Sequence, residues 1–123
     1  MQQPILISVV DDDVSVREAL VGLLQALGFE ARGYASAEDF MASDATSQSK
    51  CLLLDISMPS MSGLQLHSEL AKRGFRIPTI FITADDDQNL RETLLRRGAV
   101  ACVLKPFNEN ELRSALDRAL SSI

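Results

Sequence analysis

The sequence predicts an α/β fold: a doubly wound, five-stranded parallel sheet in the order 2-1-3-4-5, covered by five helices. Two observations predict it. Short apolar runs alternate with stretches whose apolar residues recur at helical spacing, the pattern of βαβ units closed by right-handed crossovers. Four of the runs also end on polar residues with chemistry to offer. That placement suits an open parallel sheet, where ligands bind beyond the carboxyl ends of the strands, at the point where strand order reverses.

The first run, Ile5-Leu6-Ile7-Ser8-Val9-Val10, stops at Asp11-Asp12-Asp13. Val16, Leu20, Leu23, Leu24 and Leu27 then trace the apolar stripe of a first helix, with Gly28 as its stop. Residues 29–34 form a weaker second strand, and Ser36 opens a short helix that carries Phe40 and Met41. Residues 42–50 are polar and Ser-rich and read as a loop. The third strand, Cys51-Leu52-Leu53-Leu54, stops at Asp55. A helix over Leu64 to Arg73 follows, closed by Gly74. The fourth strand, Pro78 to Ile82, stops at Thr83, and a helix near Gln88 to Arg97 ends at Gly98. The fifth strand, Ala99 to Leu104, stops at Lys105-Pro106. The last helix opens at Asn108 with Glu111 as capping partner, and it buries Leu112, Ala115, Leu116, Ala119 and Leu120. Strands buried on both faces read as near-continuous apolar runs, as these do.

The 123 residues suit one domain spanning 1–123 with a core of its own. Aromatics are limited to five Phe and one Tyr, so Leu, Ile, Val and Ala must build that core. A net charge of −5 argues against direct nucleic-acid binding, which needs a basic face. No apolar stretch approaches the ~20 residues that span a bilayer, so no membrane partner is expected. The start, Met-Gln-Gln-Pro, lacks the regions of a signal peptide. Two cysteines within strand-like runs read as reduced, buried thiols. These features predict a cytoplasmic protein.

In the order 2-1-3-4-5 strands one and three are neighbours, which brings Asp11, Asp12 and Asp55 together. Crowded carboxylates raise one another's pKa, and a bound cation reverses that. Mg²⁺ fits, since it takes hard oxygens and commonly uses one or two carboxylates plus a phosphate. Asp55 can ligate through one oxygen and attack phosphorus with the other, giving an aspartyl phosphate. Lys105 and the Thr83 hydroxyl would hold phosphoryl oxygens. Each residue alone has an ordinary explanation. Asp13 caps the first helix, a Thr at a strand end forms turns, and a Lys is solvated. Their joint placement at four strand ends is what points to phosphoryl chemistry.

With Val10-Asp11-Asp12, Leu54-Asp55-Ile56-Ser57-Met58-Pro59, Ser62-Gly63, Ile82-Thr83-Ala84 and Lys105-Pro106-Phe107 in this order, the whole chain resembles the receiver domains of two-component response regulators. Val16-Arg17, Leu27-Gly28-Phe29, Ser36-Ala37-Glu38 and Gly98-Ala99 are most similar to FixJ-like transcriptional regulators. The resemblance implies a flavodoxin-like or CheY-like fold with Asp55 as phosphoacceptor. It implies Mg²⁺ (or Mn²⁺) held by Asp11, Asp12, Asp55 and the Ser57 main-chain carbonyl, and Thr83 and Lys105 as phosphate sensors. The partner it implies is a sensor histidine kinase, with small acyl phosphates as substitutes. Phosphorylation would switch the surface of the fourth helix, fifth strand and fifth helix, through a homodimer or an attached output domain. In FixJ-like regulators that domain is a helix-turn-helix DNA-binding domain. The resemblance further implies a cis Lys105–Pro106 bond, and a loop after Asp55 shaped by Met58, Pro59 and a positive-φ Gly63.

The chain departs from the family three residues before Lys105, where relatives carry Tyr or Phe and this chain has Cys102. A small thiol cannot fill or vacate a ring's volume, so it reads as a small buried hydrophobe. Asp85-Asp86-Asp87 is a second departure, read as the cap of the following helix, with Asp85 near the phosphoryl group. His67, the only histidine, has no partner at metal-ligand spacing and reads as a surface residue. Two rivals share the acids. One is a haloacid dehalogenase-type phosphohydrolase, which needs a second Asp two residues after the nucleophile, where this chain has Ser57. The other is an interaction module that is never phosphorylated. The lack of a Gly-rich turn after the first strand argues against a dinucleotide-binding domain.

Overall fold

Five parallel strands run in the order β2-β1-β3-β4-β5, as predicted. The structure, a computed structural model, describes residues 4–121, so the outermost ends of the expected 1–123 domain lie outside it. The strands are β1 (Leu6–Val10), β2 (Glu30–Tyr34), β3 (Cys51–Asp55), β4 (Thr79–Thr83) and β5 (Ala101–Leu104). The helices are α1 (Val14–Ala26), α2 (Ala37–Met41), α3 (Ala45–Gln48), α4 (Gly63–Lys72), α5 (Gln88–Arg96) and α6 (Glu109–Leu120). β1, β3 and β4 are buried at every residue, which is why they read as unbroken apolar runs. β2, at the edge, is half-exposed, which explains its weaker signal.

Alternation along each strand splits the core into two layers. On one face, Ile7, Val9, Leu53, Ile80, Ile82 and Val103 pack with Leu20 and Leu24 of α1 and with Leu112, Ala115, Leu116 and Ala119 of α6. On the other, Val10, Leu52, Leu54 and Phe81 pack with residues of α2, α3, α4 and α5. The helices therefore divide two against four, the mark of a doubly wound sheet.

Helix ends follow the expected chemistry. Asp13, Ser36, Asp87 and Asn108 cap α1, α2, α5 and α6 through their side chains. Asn108 Oδ1 accepts from the amides of Asn110 and Glu111, so the capping there runs from Asn108 alone. At α4 the reciprocal pair is Ser62 with Gln65. α1 closes with Gly28 at φ +97°, its amide on Gln25 O and the Phe29 amide on Leu24 O. That is a Schellman closure, which requires the left-handed backbone glycine adopts freely. The same closure recurs at Gly74 and Gly98.

The described residues hold six helices where five were expected. The sixth, α3, lies in the stretch read as a loop. Its polar side chains satisfy the backbone locally: the Ser43 hydroxyl donates to Phe40 O and accepts from the Ala45 amide, and the Thr46 hydroxyl donates to Ser43 O. One turn of four residues then buries only Ala45 and Thr46, too short a stripe to show as periodicity. No helix among the described residues is long and apolar enough to cross a membrane.

The central strands define the stability of this fold. Leu53, fully buried between the α1/α6 layer and the sheet, is expected to cost about 2–5 kcal/mol when replaced by Ala. Urea unfolding should show a lower midpoint with an unchanged slope.

Candidate functional site

Four strand ends build the site: Asp55 and Thr83 close β3 and β4, Asp11 and Asp12 follow β1, and Lys105 follows β5. β1 and β3 are in register with Val10 beside Leu54, so Asp11 follows directly beside Asp55. Carboxylate oxygens of Asp11, Asp12 and Asp55 lie within 4.8 Å of one another. Asp11 and Asp55 are buried and Asp12 is exposed at the rim. Lys105 follows β5 and extends the ladder, its amide donating to Thr83 O at 2.7 Å. Its Nζ lies 3.1 Å from Asp11 Oδ2 and 3.4 Å from Asp55 Oδ1, so one ammonium bridges two acids. The Lys105–Pro106 bond is cis.

Electrostatics follow from that crowding. Burial, with the charge of Asp11 added, pushes the Asp55 carboxyl up to about 6, while Lys105 pulls it back. Burial works against the Lys105 ammonium, but its contacts with Asp11 and Asp55 outweigh that and raise its pKa. One ammonium among three carboxylates leaves the site short of positive charge. Asp11 Oδ2 is buried and accepts no hydrogen bond among the described residues; its Lys105 contact is a charge contact rather than an aligned bond. A buried oxygen left in this state, beside two further carboxylates, fits a hard divalent cation.

Thr83 ends β4 beside Asp55, whose register partner is Ile82. Its Oγ1 accepts from the Asp85 amide at 3.0 Å, which fixes the hydroxyl and leaves its proton to donate. Asp85 itself is exposed. Ser57 is an exposed residue of the loop after β3. Asp13 does not join the acids; its carboxylate accepts from the amides of Ser15 and Val16, and its own amide donates to Asp11 Oδ1.

Three expectations are corrected. Gly63 has no positive φ; that conformation belongs to Ser60, at φ 66°. Gly63 is needed because a Cβ there would collide with the Asp55 carbonyl, so its role is close approach. His67 is not a surface residue. It is half-buried, edge-on to Phe81 with ring centroids 5.4 Å apart, and burial followed by the charge of Arg97 lowers its pKa. Cys102 is only half-buried, and burial raises its thiol pKa while Arg91 pulls the other way. Cys51 is fully buried, and its thiol is pushed up to about 12. Sequence reasoning missed Arg17, whose guanidinium donates to Asp11 O at 2.8 Å. Its position one helical turn after Asp13 was the available signal.

Known proteins agree with this geometry. Residues 7–117 match the family model of the response regulator receiver domain. The transcriptional regulatory protein TdiR of Thauera aromatica is 37% identical over 113 residues, covering 92% of this chain and 50% of that protein. The response regulator StyR superposes with a TM-score of 0.88 at 38% identity, covering 98% of this chain and 61% of its own. FixJ-N superposes with a TM-score of 0.86 at 31% identity, covering 99% and 98%. The chain belongs to the receiver domain family of two-component response regulators. It spans about half the length of the curated relatives it matches.

Two outcomes are expected. Gly63→Ala, which would favour a helix elsewhere, should here lose about 1–3 kcal/mol in urea unfolding because the new Cβ must displace the Asp55 carbonyl. The second concerns pH. A carboxyl whose folded pKa is raised to about 6 binds its proton more tightly in the fold than in the unfolded chain. Between about pH 4 and 6 the folded state then holds more protons, so stability falls as pH rises. In metal-free buffer, wild type should therefore gain on Asp55→Asn as pH drops from 7 toward 4, read by urea unfolding at each pH.

Proposed function

We propose that residues 1–123 act as one phosphoacceptor domain and that Asp55 receives the phosphoryl group. The observation that carries this reading is the triangle of carboxylates at the switch point, bridged by Lys105 across Asp11 and Asp55. The donor is a phosphohistidine on a sensor histidine kinase. An Asp55 oxygen attacks phosphorus, the new O–P bond forms as the P–N bond breaks, and the imidazole leaves with a proton. With a small acyl phosphate the bond that breaks is P–O, and a carboxylate leaves. Burial lifts the Asp55 pKa to about 6, and positive charge placed beside it favours the nucleophilic carboxylate.

Asp11, Asp12, Asp55 and the Ser57 main-chain carbonyl are the residues we assign to Mg²⁺ or Mn²⁺. When bound, that ion neutralises the acids and the oxygens of the incoming phosphoryl group. Lys105 gives up one of its two carboxylate contacts to hold a phosphoryl oxygen, and the Thr83 hydroxyl donates to another. The chain promotes its own phosphorylation and dephosphorylation and turns over no separate substrate.

Output runs through α5, β5 and α6, the elements that follow Thr83 and flank Lys105. A groove there is lined by Asp86, Arg91, Cys102, Glu111 and Arg118, with Leu95 exposed on α5. Mixed charge beside apolar surface suits a phosphorylation-dependent homodimer or an attached output domain. A transcriptional output is supported by the similarity to TdiR, a transcriptional regulatory protein. The same site shape lends nothing to the hydrolase reading, since Ser57 cannot supply a proton to a leaving group as an acid would.

Acetyl phosphate with Mg²⁺ should add one phosphoryl mass to wild type and none to Asp55→Asn, read by intact-mass spectrometry. No adduct on wild type overturns the reading. Sustained turnover of an aryl phosphate would favour the hydrolase instead.

A further inference from the structure

Asp11 is held at almost every polar atom. Its amide donates to Tyr34 O at 3.1 Å, continuing the β1–β2 ladder. Its Oδ1 accepts from the Asp13 amide at 2.9 Å. Its main-chain carbonyl accepts from Arg17 Nη1 at 2.8 Å. Only Oδ2 is left, buried, and facing Lys105.

The Arg17 contact is built rather than incidental. Arg17 belongs to the first turns of α1, and its own amide donates to the Asp13 carbonyl at 2.9 Å. Its stem crosses β2 at Gly33, where a Cβ would stand 2.9 Å from Arg17 Cγ and 3.1 Å from Cδ. Those are mid-stem atoms, so they cannot yield without moving the guanidinium. Gly33 has no positive φ, so its contribution is the space it leaves. The residue after it, Tyr34, is the one that takes the Asp11 amide. One strand thus holds Asp11 directly and also seats the arginine that holds it from the other side. Arg17 makes no ion pair with a carboxylate among the described residues, so it orients the main chain rather than neutralising the acids.

We propose that Arg17, seated across Gly33, is a positioning residue for the cation site: it fixes the Asp11 main chain so that Oδ2 meets the ion in one orientation. The inference rests on assigning Asp11, Asp12 and Asp55 to a divalent cation. Groups that orient ligands in this way typically govern metal affinity about 10–100-fold.

The test is titration of Mn²⁺ alone by calorimetry, with thermal unfolding to check the fold. Arg17→Ala should raise the Mn²⁺ Kd by about 10-fold or more. Gly33→Ala keeps the arginine and a backbone that alanine adopts readily, yet should produce a similar loss by displacing the stem. The double variant should be no weaker than the stronger single, because both changes remove one interaction. Arg17→Lys should recover part of the affinity, since its ammonium can still donate to the carbonyl. If Arg17→Ala does not fold, Gly33→Ala and Arg17→Lys decide the matter. Folded Gly33→Ala with wild-type affinity overturns this inference and leaves the cation site standing, as do losses that simply add. Wild type that takes up no Mn²⁺ overturns the cation site, and this inference with it.

Discussion

The arrangement that everything else serves is a shortage of positive charge at one rim of the sheet. Asp11 and Asp55 are buried within reach of each other and share one ammonium, while Asp12 sits at the edge. Moving carboxylates out of water is costly, and like charges add to that cost. The fold accepts it because the acids stand at the ends of strands that are buried at every residue. The apolar sheet supplies the rigidity, and the rim keeps the strain. Such a rim is stable enough to exist and unsatisfied enough to respond when a cation or an anion arrives.

Positioning is distributed over backbone rather than left to side chains. Lys105 is fixed by its amide on Thr83, and Thr83 by its hydroxyl on the Asp85 amide. The loop after Asp55 is pressed against that residue's carbonyl by Gly63, whose amide bonds to Ile56 O. Asp13 caps α1 and steadies Asp11 in the same stroke, so the residue closest in chain to the acids contributes no ligand and still shapes them. The side chains at the rim are thereby left with few competing bonds, while the main chain that bears them is bound on several sides.

Much of this was readable from residue order. Parallel strands buried on both faces announce themselves as apolar runs, and a polar residue that stops such a run marks its carboxyl end; Asp55, Thr83 and Lys105 were found that way. Caps at Asp13, Ser36 and Asn108 were readable because capping is a local rule. What was hidden depends on contacts between distant segments. The ring of His67 meets Phe81 from another element, which no helical pattern reveals. Gly63 and Gly33 look alike as letters, and neither owes its place to φ; each leaves room for an atom supplied from elsewhere. α3 was missed because hydroxyls of Ser43 and Thr46 replace the apolar stripe that periodicity seeks.

Alternation along the strands has one more consequence. Asp55 follows Leu53, and Lys105 follows Val103, on the side packed by α1 and α6, whereas Thr83 follows Phe81 on the side packed by α4 and α5. Asp55 and Lys105 therefore stand on one face of the sheet and Thr83 on the other, at the open rim where the strands end. Cys102, half-buried beside its register partner Phe81, lies on the same side of the sheet as that hydroxyl.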